Sequence, residues 1–549
     1  MKGKKAVALL IAAAMVLGTA ACSNGDGTSE TTQAASSGTE VGSAAETTAS
    51  VSSDQKRQVN IEISGDPQSL APYVALSTPR NRTIIYNIYE PLFFRLEFGG
   101  ELTSCLAKSY ELMDGNVYRI TLYDSIKDSA GNPITSSDVV FSYDKCREIG
   151  VNPSQVSYID KIEIVDDYTF DMYINSTEVG AFAECVLWTP IIAEAAWNAS
   201  PDEMISTPVA TGPYVLDEWI AGSSLTLVKN ENYWQTVEEG GERQAVDKIH
   251  YSEIAESAQV TIALETGEVD FAYDLQSSDM FRFDGSGNVQ GYALYTVLDN
   301  LIQTVFFNCS EGNPCSDPVV RQAISYAIDA DAILNNLFNG EGETAVAFSN
   351  SRYSDFVDSW QSEEYYLYNP DLAKEMLASV GYADGLQLRI MTNSSANHKR
   401  IAEIIQAQLG EIGVGVEILN YENALFNTYV LDETQFDMYV AQKAAGGLTV
   451  SIWNMSLDAD TYGGTTRNFL DDAQLQKLLD TAMESATSTP ENVDACWQRI
   501  KELNPVYALC TGMKKYVHAA TITEPLVSGE SVFYPGMSTY SADHARIAE

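Results

Sequence analysis

The sequence predicts an α/β protein with more than one hydrophobic core, and three observations carry that expectation. Leu386, Leu388 and Ile390 alternate as a strand, Ile401, Ile404, Ile405 and Ile412 mark a helix closing at Gly413, and Val414, Val416 and Ile418 alternate again. Strand, helix, strand in that rhythm is a βαβ unit, hence parallel strands in a sheet covered by helices. The chain has 549 residues, 45% hydrophobic and 10% aromatic, which is globular and long enough for several cores. Helix-start devices recur along it.

From the N-terminus, Lys2, Lys4 and Lys5 precede an apolar run, Ala6 to Leu17, that is too short to span a bilayer. Small residues and then Cys22 follow. Between Cys22 and about Ser53 the chain is mostly Ser, Thr, Ala, Gly, Glu and Gln with no aromatic residue. Such a segment buries too little apolar surface to offset its ordering entropy, so residues 22–56 are expected to be a disordered spacer. No later apolar run has the length of a transmembrane helix. The working part is expected to begin at Arg57 and to act outside the cytoplasm.

Further along, Thr135-Ser136-Ser137-Asp138 matches a capping box, with Val139, Val140 and Tyr143 then at helical spacing. Gly212-Pro213-Tyr214 reads as the tight start of a strand, with Trp219, Tyr233 and Trp234 packing a β-hairpin. Asp317-Pro318 sets an N-cap before a proline at the first helical position, and Asn369-Pro370 repeats the device ahead of Ala373, Met376, Leu377 and Val380. Gly381 can close that second helix.

The formal net charge of −44 disfavours nucleic acid and anionic headgroups as partners. Eight cysteines include Cys22, which leaves an odd number and argues against a complete disulfide framework. Cys309 and Cys315 are close enough to bridge across a loop; the rest read as small buried residues. The four histidines are scattered, and no Cys-x-x-Cys, His-Glu-x-x-His, Gly-x-Ser-x-Gly or Walker motif occurs. Gly340 to Ala345 superficially fits a dinucleotide fingerprint but follows a helical pattern and would set two glutamates against a pyrophosphate. Asp458-Ala459-Asp460 begins like a calcium loop and fails at Tyr462 and Phe469. No metal or cofactor is expected, and a catalytic reading has no constellation to rest on.

A series of blocks carries a resemblance over roughly residues 57–549. Asp66-Pro67-Gln68-Ser69-Leu70-Ala71-Pro72, Tyr89-Glu90-Pro91-Leu92, Leu106-Ala107-Lys108-Ser109-Tyr110 and the segment 134–142 come first. Thr211 to Leu216 then runs on through Trp219 to Lys229-Asn230-Glu231-Asn232-Tyr233-Trp234, followed by 319–329, 407–413 and Phe436-Asp437-Met438. In this order they resemble the extracytoplasmic solute-binding proteins of peptide-type ABC importers, the oligopeptide-, dipeptide- and nickel-binding family (solute-binding protein family 5). The leader resembles a bacterial lipoprotein signal over 1–21 with Cys22 acylated, although Thr19 stands where that family prefers Leu. An ordinary secretory leader with a chance cysteine is the plainer alternative.

The resemblance implies a two-lobed, Venus-flytrap fold of the periplasmic-binding-protein type. A discontinuous lobe I would cover 57–98, 207–290 and 503–549, an extra subdomain 99–206, and lobe II 291–502. It implies a monomer lipid-anchored on the outer face of the cytoplasmic membrane, which captures a small peptide or peptide-like solute without a cofactor. The solute would pass to permease subunits served by a cytoplasmic ATPase.

Peptide-binding relatives carry an aspartate for the peptide ammonium just after the Phe-Asp-Met strand. Here no acid stands between Asp437 and Asp458, and Lys443 brings a positive charge. Either Asp458 or Asp460 substitutes, or the ligand lacks a free N-terminus; blocked peptides, oligosaccharides, opines and metal chelates then come into view. Trp453 and Asn454 fall in the cleft-lining segment, Tyr73 follows the first block, Tyr273 and Asp274 end a strand, and Arg467 could pair with a ligand carboxylate. Ordinary packing is the alternative for each. The rivals from other classes are an extracellular hydrolase, and the same fold serving as a sensor or adhesin.

Overall fold

A computed structural model describes residues 57–74, 79–96, 99–150, 154–235, 242–273, 275, 277–444, 446–458, 467–528 and 532–541. Cys22, the leader and the spacer lie outside these residues.

The βαβ unit forms as its periodicity predicts. Strands Leu386–Thr392 and Val414–Asn420 pair in parallel from Leu386–Val414 to Thr392–Asn420, with helix Ala396–Glu411 between them. Gly413 follows with φ of 85°, a left-handed conformation that closes the helix cheaply only for glycine. The capping devices also form: Thr135 N donates to Asp138 Oδ2 at 2.8 Å, Val319 N to Asp317 Oδ1 at 2.8 Å, and Leu372 N to Asn369 Oδ1 at 3.1 Å.

One twelve-stranded mixed sheet runs through the molecule. Its path is 414–420, 386–392, 438–443, 302–307, 506–519, 271–272, 58–63, 248–253, 224–229 and 214–220. Strands 292–298 and 342–344 also pair with 506–519. Buried side chains segregate into two clusters. The first runs from Val59 to Tyr292 and resumes at Tyr516; the second runs from Ile302 to Cys510. The chain therefore passes between two cores twice, near 299–301 and near 511–515, and strand Val506–Ala519 belongs to both. These cores are the two lobes. A four-stranded antiparallel sheet, in the order 107–113, 117–122, 169–174 and 159–166, forms a smaller layer on the first lobe beneath helix Ser136–Ile149.

Several of the blocks singled out in the sequence meet in space and hold the scaffold. Glu90, fully buried, accepts from Arg243 Nη1 at 2.7 Å, from Tyr233 Oη at 2.6 Å and from Trp234 Nε1 at 3.2 Å. A buried carboxylate needs that many donors to offset its desolvation. Asp66 Oδ2 accepts from Trp219 Nε1 at 3.1 Å and Gly222 N at 2.8 Å, which ties the first block to the hairpin 214–229. Arg321, also buried, donates to the carbonyls of Cys315, Ser316 and Asn504 at 2.7, 2.9 and 3.0 Å. Cys309 and Cys315 are free thiols, as are the other five cysteines among the described residues.

Candidate functional site

In open α/β sheets, solutes bind in the crevice beyond the carboxyl ends of the parallel strands. In the first lobe, strands 58–63 and 271–272 run parallel, and Tyr273 directly follows the second. In the second lobe, strand 438–443 runs parallel to 386–392 and ends at Lys443, paired with Ile302 just after the first passage between lobes. Tyr273 and Lys443 thus stand on opposite sides of the crossing strand 506–519.

On the first wall, Tyr273 N donates to Glu62 Oε2 at 2.9 Å, and Glu62 is fully buried. The Tyr273 hydroxyl shares a hydrogen bond of 2.8 Å with Thr83 Oγ1 and accepts from Phe533 N at 2.9 Å. Burial pushes this phenol far above its ordinary pKa, so it stays neutral. Tyr73 is buried in the first core, where its hydroxyl donates to Pro190 O at 3.1 Å and its ring lies 6.1 Å from Trp197. The Arg82 guanidinium lies 5.2 Å over Trp188.

On the second wall, Lys443 is half-buried with Nζ 5.7 Å from the centroid of Phe306. Burial lowers its pKa to about 8. Helix Thr449–Leu457 follows, and its first turn is already occupied by an anion. Asp355 accepts from Thr449 N at 2.6 Å and Val450 N at 3.0 Å, the arrangement favoured by the helix dipole. Desolvation raises the Asp355 pKa, and these two N–H groups pull against the rise.

Trp453 lies on this helix but belongs to the second core. Its side chain is fully covered, Nε1 donates to Phe348 O at 2.7 Å, and its ring stacks on Trp497 at 6.3 Å beside Trp360 at 5.9 Å. In this conformation a solute does not reach the indole. A cleft-lining segment still needs one face in the core, and the tryptophan occupies that face. Asn454 is half-buried on the same helix, and its carbonyl accepts from Asp458 N at 3.2 Å. Asp458 is nine-tenths buried at the helix C-terminus. Arg467 is exposed, 5.1 Å over Phe469, and its N–H donates to Tyr439 Oη at 3.2 Å. Asp274 and Asp460 lie outside the described residues. Asn454, Asp458 and Arg467 thus share the second lobe with Lys443, while Tyr73 and Tyr273 belong to the first.

Sequence reasoning missed Asp355 and Arg95. Arg95, on the first lobe, donates through Nη1 to Gly446 O of the second at 2.8 Å, a contact over 351 residues of chain that leaves no local signal. Among the described residues, no group of His, Cys, Asp and Glu has the arrangement of a metal site, and no helix is long and apolar enough to cross a membrane.

The family model of bacterial extracellular solute-binding proteins, family 5 (middle), matches residues 101–462. The glutathione-binding protein GsiB of Escherichia coli K12 is 25% identical over 373 residues, 66% of this chain and 69% of its own. The nickel-binding periplasmic protein of the same strain is 27% identical over 378 residues, 64% and 68% of the two chains. The Helicobacter pylori periplasmic binding protein DppA, solved with the peptide STSA, superposes with a TM-score of 0.67 at 22% identity, covering 88% of this chain and 98% of its own.

Proposed function

The chain belongs to the bacterial extracellular solute-binding proteins of family 5, and from that premise we propose that it captures a peptide or peptide-like solute between its lobes and delivers it to the permease of an ABC importer. The observation that carries this reading is the pair of walls meeting at strand 506–519, with Tyr273 on one and Lys443 on the other. Rotation about two short crossings closes such walls on a solute, the hinge geometry of binding proteins. The neighbours fit: GsiB is named for glutathione and DppA holds a tetrapeptide. The protein acts as a monomer, needs no cofactor and performs no catalysis. Cleavage before Cys22, acylation of that cysteine and the spacer 22–56 would hold the lobes on the outer face of the membrane. Labelled palmitate incorporated by the natural chain, and absent from Cys22→Ser, tests the anchor.

Lys443 narrows the solute. A half-buried cation is stabilised by an anionic partner and repels an ammonium, so this wall suits a carboxylate or a blocked amine better than a free peptide N-terminus. The same fact favours a second reading, in which the solute is an anionic non-peptide such as an opine or a metal chelate. Native mass spectrometry of the purified chain, with the released solute identified, separates the two. A ladder of short peptides supports the first reading, one discrete non-peptide mass the second. A solute recovered bearing neither a carboxylate nor another anion removes Lys443 from the site.

A further inference from the structure

Two segments far apart in sequence pair across the lobes. Val179 N donates to Met483 O at 2.8 Å, and Ser485 N donates to Thr177 O at 2.8 Å. Together they form an antiparallel bridge that sets Glu178 opposite Glu484. Thr177 Oγ1 adds a hydrogen bond to the Glu484 carboxylate. Residues 177–179 follow the last strand of the small antiparallel sheet on the first lobe, whereas 483–485 end helix Ala473–Met483 of the second core. A cavity of 570 Å³ lies alongside, walled by Val179 and Gly180 from one lobe and by Asp355, Phe356, Leu448 and Val493 from the other.

Main-chain hydrogen bonds between two bodies that turn about a hinge are made and broken with the turning. We propose that this bridge is a closure clasp, formed as the lobes shut and broken as they part. On this account the small sheet sets how often the solute-free protein is closed. Two backbone bonds and one bond to a carboxylate suffice to shift a two-state equilibrium by about tenfold. The opposed carboxylates act as a counterweight, because like charges directly across a bridge destabilise it. Tyr158 Oη donates to Glu178 Oε2 at 3.0 Å and holds that carboxylate in place. The clasp is thereby strong enough to favour closure and weak enough to release.

The bonding pattern makes Glu178 and Glu484 a non-hydrogen-bonded pair, with Cα atoms about 4.5 Å apart in such bridges, within reach of a disulfide. The test uses the full chain, freed of co-purified solute in guanidinium and refolded. Fluorophores are attached through noncanonical side chains at the exposed positions 220 and 425, one on each lobe. Oxidation of the E178C/E484C variant is expected to give one high-transfer population, and reduction to restore a second, low-transfer one. Identical distributions in the two forms, or no cross-link at all, overturn the clasp. Glu484→Gln keeps the backbone bonds and an acceptor for Thr177 Oγ1, and removes the repulsion between the two carboxylates. With its circular dichroism unchanged, it is expected to raise the closed share at least threefold; an unchanged share overturns the proposal. The readout needs no solute, so it stands apart from the identity of the ligand.

Discussion

The backbone N–H of Asp299 donates to the carbonyl of Gly512 at 2.9 Å, so the two passages between lobes are hydrogen-bonded to each other where the chain crosses. Around this point Asn350 Nδ2 donates to Asp299 O at 2.8 Å and Arg352 Nη1 to Leu298 O at 2.6 Å. A hinge of paired strands bends along one axis and resists others, which keeps the walls in register as they approach.

Close packing at this hinge makes Gly342 irreplaceable. It pairs with Gly512 at a φ of 146°, and an added Cβ would stand 2.2 Å from Thr511 O. Gly342→Ala is expected to cost about 2 kcal/mol or more, from strained backbone and a clash that no side-chain rotation relieves. Urea unfolding of the two proteins measures it, and an unchanged midpoint would show that the crossing is looser than this geometry.

Trp453 behaves as a core residue. Truncating it removes a ring shared by Trp360 and Trp497 and leaves Phe348 O without its donor. Trp453→Ala is expected to destabilise the fold by about 3–5 kcal/mol. Asn454→Ala, on the same helix and half-buried, is expected to cost less than about 1 kcal/mol. Comparable unfolding midpoints for the two variants would return Trp453 to the cleft.

His398 gives the second lobe an acid-side weakness. Its Nδ1 lies 2.8 Å from Asn393 Oδ1, its Nε2 is buried without a hydrogen-bond partner, and burial lowers its pKa to about 4. The unfolded chain takes up this proton near pH 6.5 and the folded chain only near 4, so stability is complete above 6.5 and falls as pH drops towards 4. The loss is roughly 3 kcal/mol over that window. Chemical denaturation at pH 7 and pH 4.5 should show a smaller acid penalty for His398→Gln than for the natural chain. Equal penalties would mean that other groups dominate.

What the sequence disclosed and what it withheld divide along a physical line. The Thr135–Asp138 capping box, the Asp317-Pro318 helix start and the 386–420 βαβ unit depend on residues a few positions apart, so their chemistry is visible in order along the chain. Trp453 is different. Whether an aromatic on a short, mostly apolar helix faces a cleft or a core depends on Trp360, Trp497 and Phe348, which come from three other parts of the chain. The backbone bridge from Thr177 to Ser485 and the bond from the Arg95 guanidinium to the Gly446 carbonyl are equally silent, because each joins groups hundreds of residues apart and at least one partner is a main-chain atom that any residue supplies. Strand 506–519 carries no clean alternation, because most of it is buried on both faces.

Lys443 links pH to both folding and binding, with opposite signs. Its folded pKa, lowered to about 8, lies below the unfolded value near 10.5, so the unfolded chain holds more protons between these values and stability rises with pH across the window. A solute carboxylate at this wall stabilises the charged form and raises the pKa, so above pH 8 binding requires uptake of a proton. The affinity of an anionic solute is therefore expected to weaken as pH rises from 8 to 10, by up to tenfold per unit, while that of a C-terminally amidated peptide changes little. Calorimetry of the co-purified solute in buffers of differing ionisation enthalpy measures the proton taken up directly. Lys443→Met is expected to abolish that uptake and to lower affinity at pH 7 by tenfold or more. An unchanged proton count in this variant would show that another group meets the solute's charge.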